Sequence, residues 1–123
     1  MKKILFIEDE TALQESFKGI LESESYQLVI ALDGEVGLRL AITEKPDLIL
    51  LDLVLPKIYG LDVLKQLKAS PETKDIPVII LTNLDQTENI KNALELGATT
   101  YLVKSNYSLE DVVEKIKKAL KEI

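Results

Sequence analysis

The sequence predicts an α/β fold: a doubly wound parallel β-sheet of five strands with helices on both faces. Two observations carry that prediction. Short apolar runs alternate five times along the chain with stretches of helical periodicity, the pattern of successive βα units. The central run, Leu48 to Leu51, is apolar at both alternating positions, as expected for a strand covered by helices on both sides. Right-handed crossovers then leave only a few doubly wound strand orders.

The elements follow in order. Lys3 to Ile7 reads as a short apolar strand that ends on Glu8, Asp9 and Glu10. Thr11-Ala-Leu-Gln14 has the pattern of a capping box, and Leu13, Phe17, Ile20 and Leu21 follow at helical spacing. Gln27 to Ala31 is the second strand, broken by Asp33-Gly34. A weaker helix with Val36, Leu40 and Ala41 on one face ends before Pro46. Asp47 to Asp52 forms the central strand, stopped by Pro56, and the loop carrying Gly60 leads to a helix with Leu61, Leu64 and Leu67 on one side, ended by Ser70-Pro71. The fourth strand runs from Ile76 to Thr82, with Pro77 tolerable near its start. Asp85-Gln-Thr-Glu88 predicts a capped helix bearing Ile90, Ala93 and Leu94, terminated by Gly97. Thr99 to Val103 is the fifth strand, directly followed by Lys104. Ser108-Leu-Glu-Asp111 opens a last helix that presents Leu109, Val112, Val113, Ile116, Leu120 and Ile123 on one face.

At 123 residues, with no repeat beyond the βα alternation and no linker-like stretch, the expectation is a single domain over residues 1–123 with a core of its own. Acidic residues outnumber basic ones by 21 to 15, so long-range electrostatics oppose direct nucleic-acid binding. No apolar stretch is long enough for membrane insertion, and the apolar run after Met1-Lys2-Lys3 is too short for a secretory signal, so a cytoplasmic location is expected. The chain has no cysteine and no histidine, which excludes thiolate chemistry, His-dependent triads and a resident phosphohistidine.

Candidate chemistry lies at the strand ends, where sheets of this kind carry their sites. Glu8 and Asp9 follow the first strand, Asp52 ends the third, Thr82 ends the fourth, and Lys104 follows the fifth. Taken singly, each has a plain structural explanation: Asp52 as a loop cap, Glu8 to Glu10 as acids favoured by a helix dipole, Thr82 as a helix-entry hydroxyl, Lys104 as a surface lysine. The set weighs more than its members. In one of the possible strand orders, 2-1-3-4-5, the second strand is an edge and the other four ends are consecutive. Carboxylates gathered there repel one another unless a hard divalent cation sits among them, and an all-oxygen site suits Mg²⁺. Acids, a hydroxyl, an ammonium and a metal are what phosphoryl transfer to a carboxylate requires.

These residues resemble the receiver domain of two-component response regulators, including the chemotaxis-type receivers. The resemblance rests on Ile4-Leu-Phe-Ile-Glu-Asp-Glu10, on Leu51-Asp-Leu-Val-Leu-Pro56 with Gly60, on Val78-Ile-Ile-Leu-Thr82, and on Gly97-Ala98 through Tyr101-Leu-Val-Lys104. It covers essentially the whole chain and implies the strand order 2-1-3-4-5, which is flavodoxin-like. It further implies that Asp52 accepts a phosphoryl group from a histidine on a sensor kinase or phosphotransfer protein acting in trans. Asp9 is implied as the direct Mg²⁺ ligand, Glu8 as its partner acid, and Asp52 and the backbone carbonyl of Val54 as further ligands. Lys104 would pair with the acceptor, Thr82 would be the switch hydroxyl, and Tyr101 the aromatic that turns inward with it. A downstream protein would then read the face made by the fourth helix, fifth strand and fifth helix. On this reading the protein is a signalling phosphoacceptor that catalyses only its own phosphorylation and dephosphorylation.

Departures from the family pattern modify these expectations. Glu8 stands where Asp is commoner, Tyr59 where Asp is frequent, and Asn83 where a small residue is usual, which predicts slow loss of the phosphoryl group. Ser105 follows Lys104 where the family usually has Pro, so a trans bond is expected there. A flavin carrier would need a phosphate cradle where Glu8-Asp9-Glu10 stand, and a haloacid-dehalogenase-type phosphatase would want an acid at Val54. The remaining alternative is a phosphorylation-independent interaction module with the same fold.

Overall fold

A computed structural model describes residues 1–122. Ile123, expected on the apolar face of the last helix, lies outside them. Along the chain run β1 (Lys3–Ile7), α1 (Thr11–Ser23), β2 (Gln27–Ala31), α2 (Gly34–Thr43), β3 (Leu48–Leu51), α3 (Gly60–Ala69), β4 (Val78–Thr82), α4 (Thr87–Glu95), β5 (Thr100–Val103) and α5 (Leu109–Ala119), with one turn of 3-10 helix at Lys104–Asn106 before α5. The strands pair in parallel in the order β2-β1-β3-β4-β5, as expected.

Because side chains alternate across a strand, neighbouring residues feed opposite layers. Leu5, Ile7, Ile49, Leu51, Val78 and Ile80 pack with Ala41, Val63, Leu64, Leu67 and Ala93, from α2, α3 and α4. Ile4, Phe6, Leu48, Leu50, Ile79 and Leu81 pack with Phe17 and Leu21 of α1 and with Val112, Val113 and Ile116 of α5. The Phe6 and Phe17 rings meet edge to face, with centroids 5.1 Å apart. All four residues of β3 are buried, which is why its sequence is an unbroken apolar run rather than an alternation.

The helix ends bear out some of the sequence signals and correct others. At α5 the capping box is formed: Ser108 Oγ accepts from the Asp111 amide at 3.1 Å, and Asp111 Oδ2 accepts from the Ser108 amide at 3.0 Å. Asp33 caps α2 by accepting from the Val36 amide at 2.9 Å. The boxes expected at Thr11 and Asp85 do not form. The cap positions fall to Glu10 and Gln86, neither of which makes a side-chain cap, so Thr11 is already helical and Asp85 belongs to the loop. Leu94 is corrected as well: it is 47% exposed, because α4 touches the sheet along a strip centred on Ala93 that is too narrow to include it. Gly97, at φ +110°, ends that helix as expected, in a conformation that residues with a Cβ rarely adopt.

Candidate functional site

The carboxyl ends of β1, β3, β4 and β5 converge on a cleft of about 320 Å³ lined by Glu8, Asp9, Glu10, Asp52, Val54, Thr82, Asn83 and Lys104. Strand order explains the convergence: β2 is the edge, so the ends of the other four strands lie side by side. Register adds detail. Ile7 pairs with Leu51, which brings Glu8 and Asp52, the next residue of each strand, to the same level.

Asp52 is buried at the end of β3. Its Oδ1 accepts from the Val54 amide at 3.2 Å, and its Oδ2 lies 3.0 Å from Lys104 Nζ. The same ammonium is 2.8 Å from Glu8 Oε1, while Glu8 Oε2 accepts from the Glu10 amide at 3.1 Å. Lys104 thus bridges two buried carboxylates. Glu8, Asp9 and Asp52 can each place a carboxylate oxygen within 4.8 Å of the others, and Asp9 is the exposed member of the three.

Burial pushes the Glu8 carboxyl above its ordinary value; Asp52 pushes it further, against the pull of Lys104 and the Glu10 amide. Burial also works against the Lys104 ammonium, but its bonds to Glu8 and Asp52 prevail and hold it above the ordinary lysine value. One ammonium therefore serves two carboxylates, which already leaves a formal net negative charge, and the third acid adds to it. A hard divalent cation with oxygen ligands fits that donor set.

The backbone around Asp52 is held closely. The Gly60 amide donates to Leu53 O at 2.9 Å, and a Cβ at Gly60 would stand 2.3 Å from Leu53 Cα and 2.5 Å from Asp52 O. Gly60 is needed here because the chain entering α3 passes against the segment that carries Asp52.

Thr82 is fully buried and lines the cleft. Its Oγ1 faces the Leu84 amide at 3.5 Å, and the Tyr101 hydroxyl donates to Leu84 O at 2.6 Å. Both candidate switch residues are thus connected to one residue of the β4–α4 loop, Leu84, which the sequence did not single out. A partly buried leucine two places beyond the strand carries no signal when its role is played by its backbone. Gln14 was read as part of a cap and is instead a buried polar residue on the stripe of Phe17 and Leu21. A polar residue on an apolar stripe was the available signal.

A family model for the response regulator receiver domain matches residues 4–117. The chain belongs to this family. Among curated relatives, the transcriptional regulatory protein PhoP of Bacillus subtilis, named for alkaline phosphatase synthesis, is 39% identical over 98% of this chain and 49% of its own length. The chain spans about half the length of the curated relatives it matches. Among solved structures, a CheY-like receiver domain protein from Methanospirillum hungatei is 34% identical with a TM-score of 0.92, over 99% of this chain and 95% of that one. The receiver domain of sensor histidine kinase PA1611 from Pseudomonas aeruginosa, 25% identical with a TM-score of 0.88 over 98% of each chain, was solved with magnesium coordinated in its active-site cleft.

Of the receiver's departures from the family pattern, Glu8 and Asn83 line this cleft, Ser105 follows Lys104 in the 3-10 turn, and Tyr59, just before Gly60, is 42% exposed. The Lys104–Ser105 bond is trans, there being no cis peptide among the described residues. No helix among them is long and apolar enough to cross a membrane.

Burial pushes the Tyr101 phenol up to about 12, with Tyr59, Asp52 and Asp85 adding to the shift, so it remains a hydrogen-bond donor to Leu84 at any ordinary pH. Because the folded value lies above the ordinary 10.0, the stability this phenol contributes is complete below pH 10 and is lost as pH rises towards 12. In Tyr101→Phe the urea midpoint should fall less steeply than the wild type's across that window. Parallel curves would mean that the hydroxyl contributes nothing there.

Proposed function

We propose that this receiver takes a phosphoryl group onto Asp52 from a phosphohistidine of a partner sensor kinase or phosphotransfer protein, in a Mg²⁺-dependent reaction. The observation that carries this reading is the buried Asp52 carboxylate, 3.0 Å from Lys104 and grouped with Glu8 and Asp9 at the switch point of the sheet. With no histidine in residues 1–123, a phosphohistidine donor lies outside them. The P–N bond of the donor breaks as a P–O bond forms to Asp52, and the histidine is regenerated.

Glu8, Asp9, Asp52 and the Val54 carbonyl would hold Mg²⁺, which when bound supplies neutralising charge to the transferring group. Lys104 stands against the acceptor and can follow the negative charge from carboxylate to phosphoryl oxygen. Thr82 offers a hydroxyl to that oxygen. Any movement of Thr82 acts on Leu84, and through it on Tyr101 and the α4-β5-α5 face, where a downstream protein would read the change. Asn83, at the mouth of the cleft, supports slow hydrolysis of the acyl phosphate. Residues 1–123 are read as a single receiver domain of a cytoplasmic signalling pathway, without direct nucleic-acid contact and without an external substrate of its own.

The test is intact mass after incubation with a small-molecule phosphodonor. One phosphoryl group is expected with Mg²⁺ and none with EDTA. Failure to gain it, together with failure to bind Mg²⁺ or beryllofluoride, would favour a phosphorylation-independent interaction module.

A further inference from the structure

We infer that Gln14 is a positioning residue for the metal site, holding the peptide plane between Glu8 and Asp9 in the orientation that aims the Asp9 carboxylate into the cleft. The inference rests on the Mg²⁺-dependent reading above and assigns a role to a residue outside the acidic cluster. Gln14 is 7% exposed, on the inward face of α1 beside Phe17 and Leu21. Its Nε2 donates to the backbone carbonyl of Glu8 at 2.5 Å. A carbonyl can only accept, so the amide nitrogen has to be the group that faces it.

Glu8 sits where the sheet ladder stops. Its amide still donates to Ala31 O at 2.9 Å, but its carbonyl lies beyond the paired residues of β1 and β3, and Gln14 supplies the donor there. The Glu8 carbonyl and the Asp9 amide belong to one rigid plane. Fixing the carbonyl to α1 therefore fixes the peptide plane, one of the two rotations, the other being the Asp9 φ, that set the direction of the Asp9 Cα–Cβ bond. The neighbouring acid is fixed separately, with Glu8 Oε2 on the Glu10 amide and Oε1 on Lys104. Asp9, being exposed, has no such support of its own and depends on the plane behind it. The sequence pattern Thr11-Ala-Leu-Gln14 is explained in the same way: Gln14 does not cap α1 because its amide serves the acidic loop.

Gln14→Met keeps the length and removes the donor. In calorimetric titrations the Mg²⁺ dissociation constant of this variant should rise about tenfold, the scale on which partners behind metal ligands act. Thermal melts in EDTA record any loss of stability separately. A lower melting temperature with unchanged Mg²⁺ affinity would overturn the inference and leave Gln14 a purely structural residue. A second measurement needs no variant: the side-chain amide protons of Gln14 in ¹⁵N-labelled wild type should exchange slowly and shift on Mg²⁺ addition. Rapid exchange with no shift would overturn it as well. If the wild type itself bound no Mg²⁺, the metal-dependent function would fail first; if it bound and Gln14→Met bound equally, only the role of Gln14 would fail.

Discussion

Asp52→Asn should gain no phosphoryl group under conditions that add one to the wild type, while remaining folded. Asparagine has nearly the same size and shape, so the buried site stays filled, but its amide is not the anionic nucleophile that phosphoryl transfer needs. The substitution also removes a negative charge from the cluster. Asp52 is one of the influences that raise Glu8, so Glu8 should ionise more readily once it is gone. Lys104 loses the carboxylate at 3.0 Å and keeps the one at 2.8 Å, so no buried charge is left without a partner. The expected combination is a thermal melt close to the wild type, weaker Mg²⁺ binding and an unchanged mass. A full phosphoryl adduct on Asp52→Asn would place the acceptor on another residue.

Gly60→Ala is expected to disturb Asp52 from behind. An added Cβ would stand 2.3 Å from Leu53 Cα and 2.5 Å from Asp52 O, and both are backbone atoms that cannot turn aside as a side chain would. Either α3 withdraws, breaking the 2.9 Å bond from the Gly60 amide to Leu53 O, or the end of β3 moves. A cost of about 3 kcal/mol is at the upper end of overpacking effects and corresponds to a fall in melting temperature of roughly ten degrees. Phosphorylation should slow as well, since the displaced atoms belong to Asp52 and its neighbour. A variant with wild-type stability and wild-type adduct formation would show that this close approach is absent in solution.

The contrast between these two positions indicates what was legible in the sequence. Strands, helices and strand-end carboxylates were readable because burial on both faces writes an unbroken apolar run, as in Leu48 to Leu51, and because the polar residue that follows such a run has few places to go. The cap of α5 was readable since Ser108 and Asp111 satisfy each other within one turn. Thr11 and Gln14 have the same spacing, and nothing local shows that the Gln14 amide serves a carbonyl six residues earlier. Leu84 was invisible because its part is played by its peptide groups. Leu94 was misplaced because periodicity gives the direction of a helix face but not its width. Gly60 could be noticed as a glycine, but the atoms it lies against follow only from the packing.

The division of each strand between two layers constrains how the chain can change in length. Residues 48 and 50 face α1 and α5, while residues 49 and 51 face α2, α3 and α4. One residue inserted or deleted within β3 would exchange those assignments and turn position 52 to the opposite side of the sheet. An added residue is far better tolerated in the connections that leave the strand register alone. The distance along the chain from Leu48 to Asp52 is therefore as much a part of the site as the carboxylate itself.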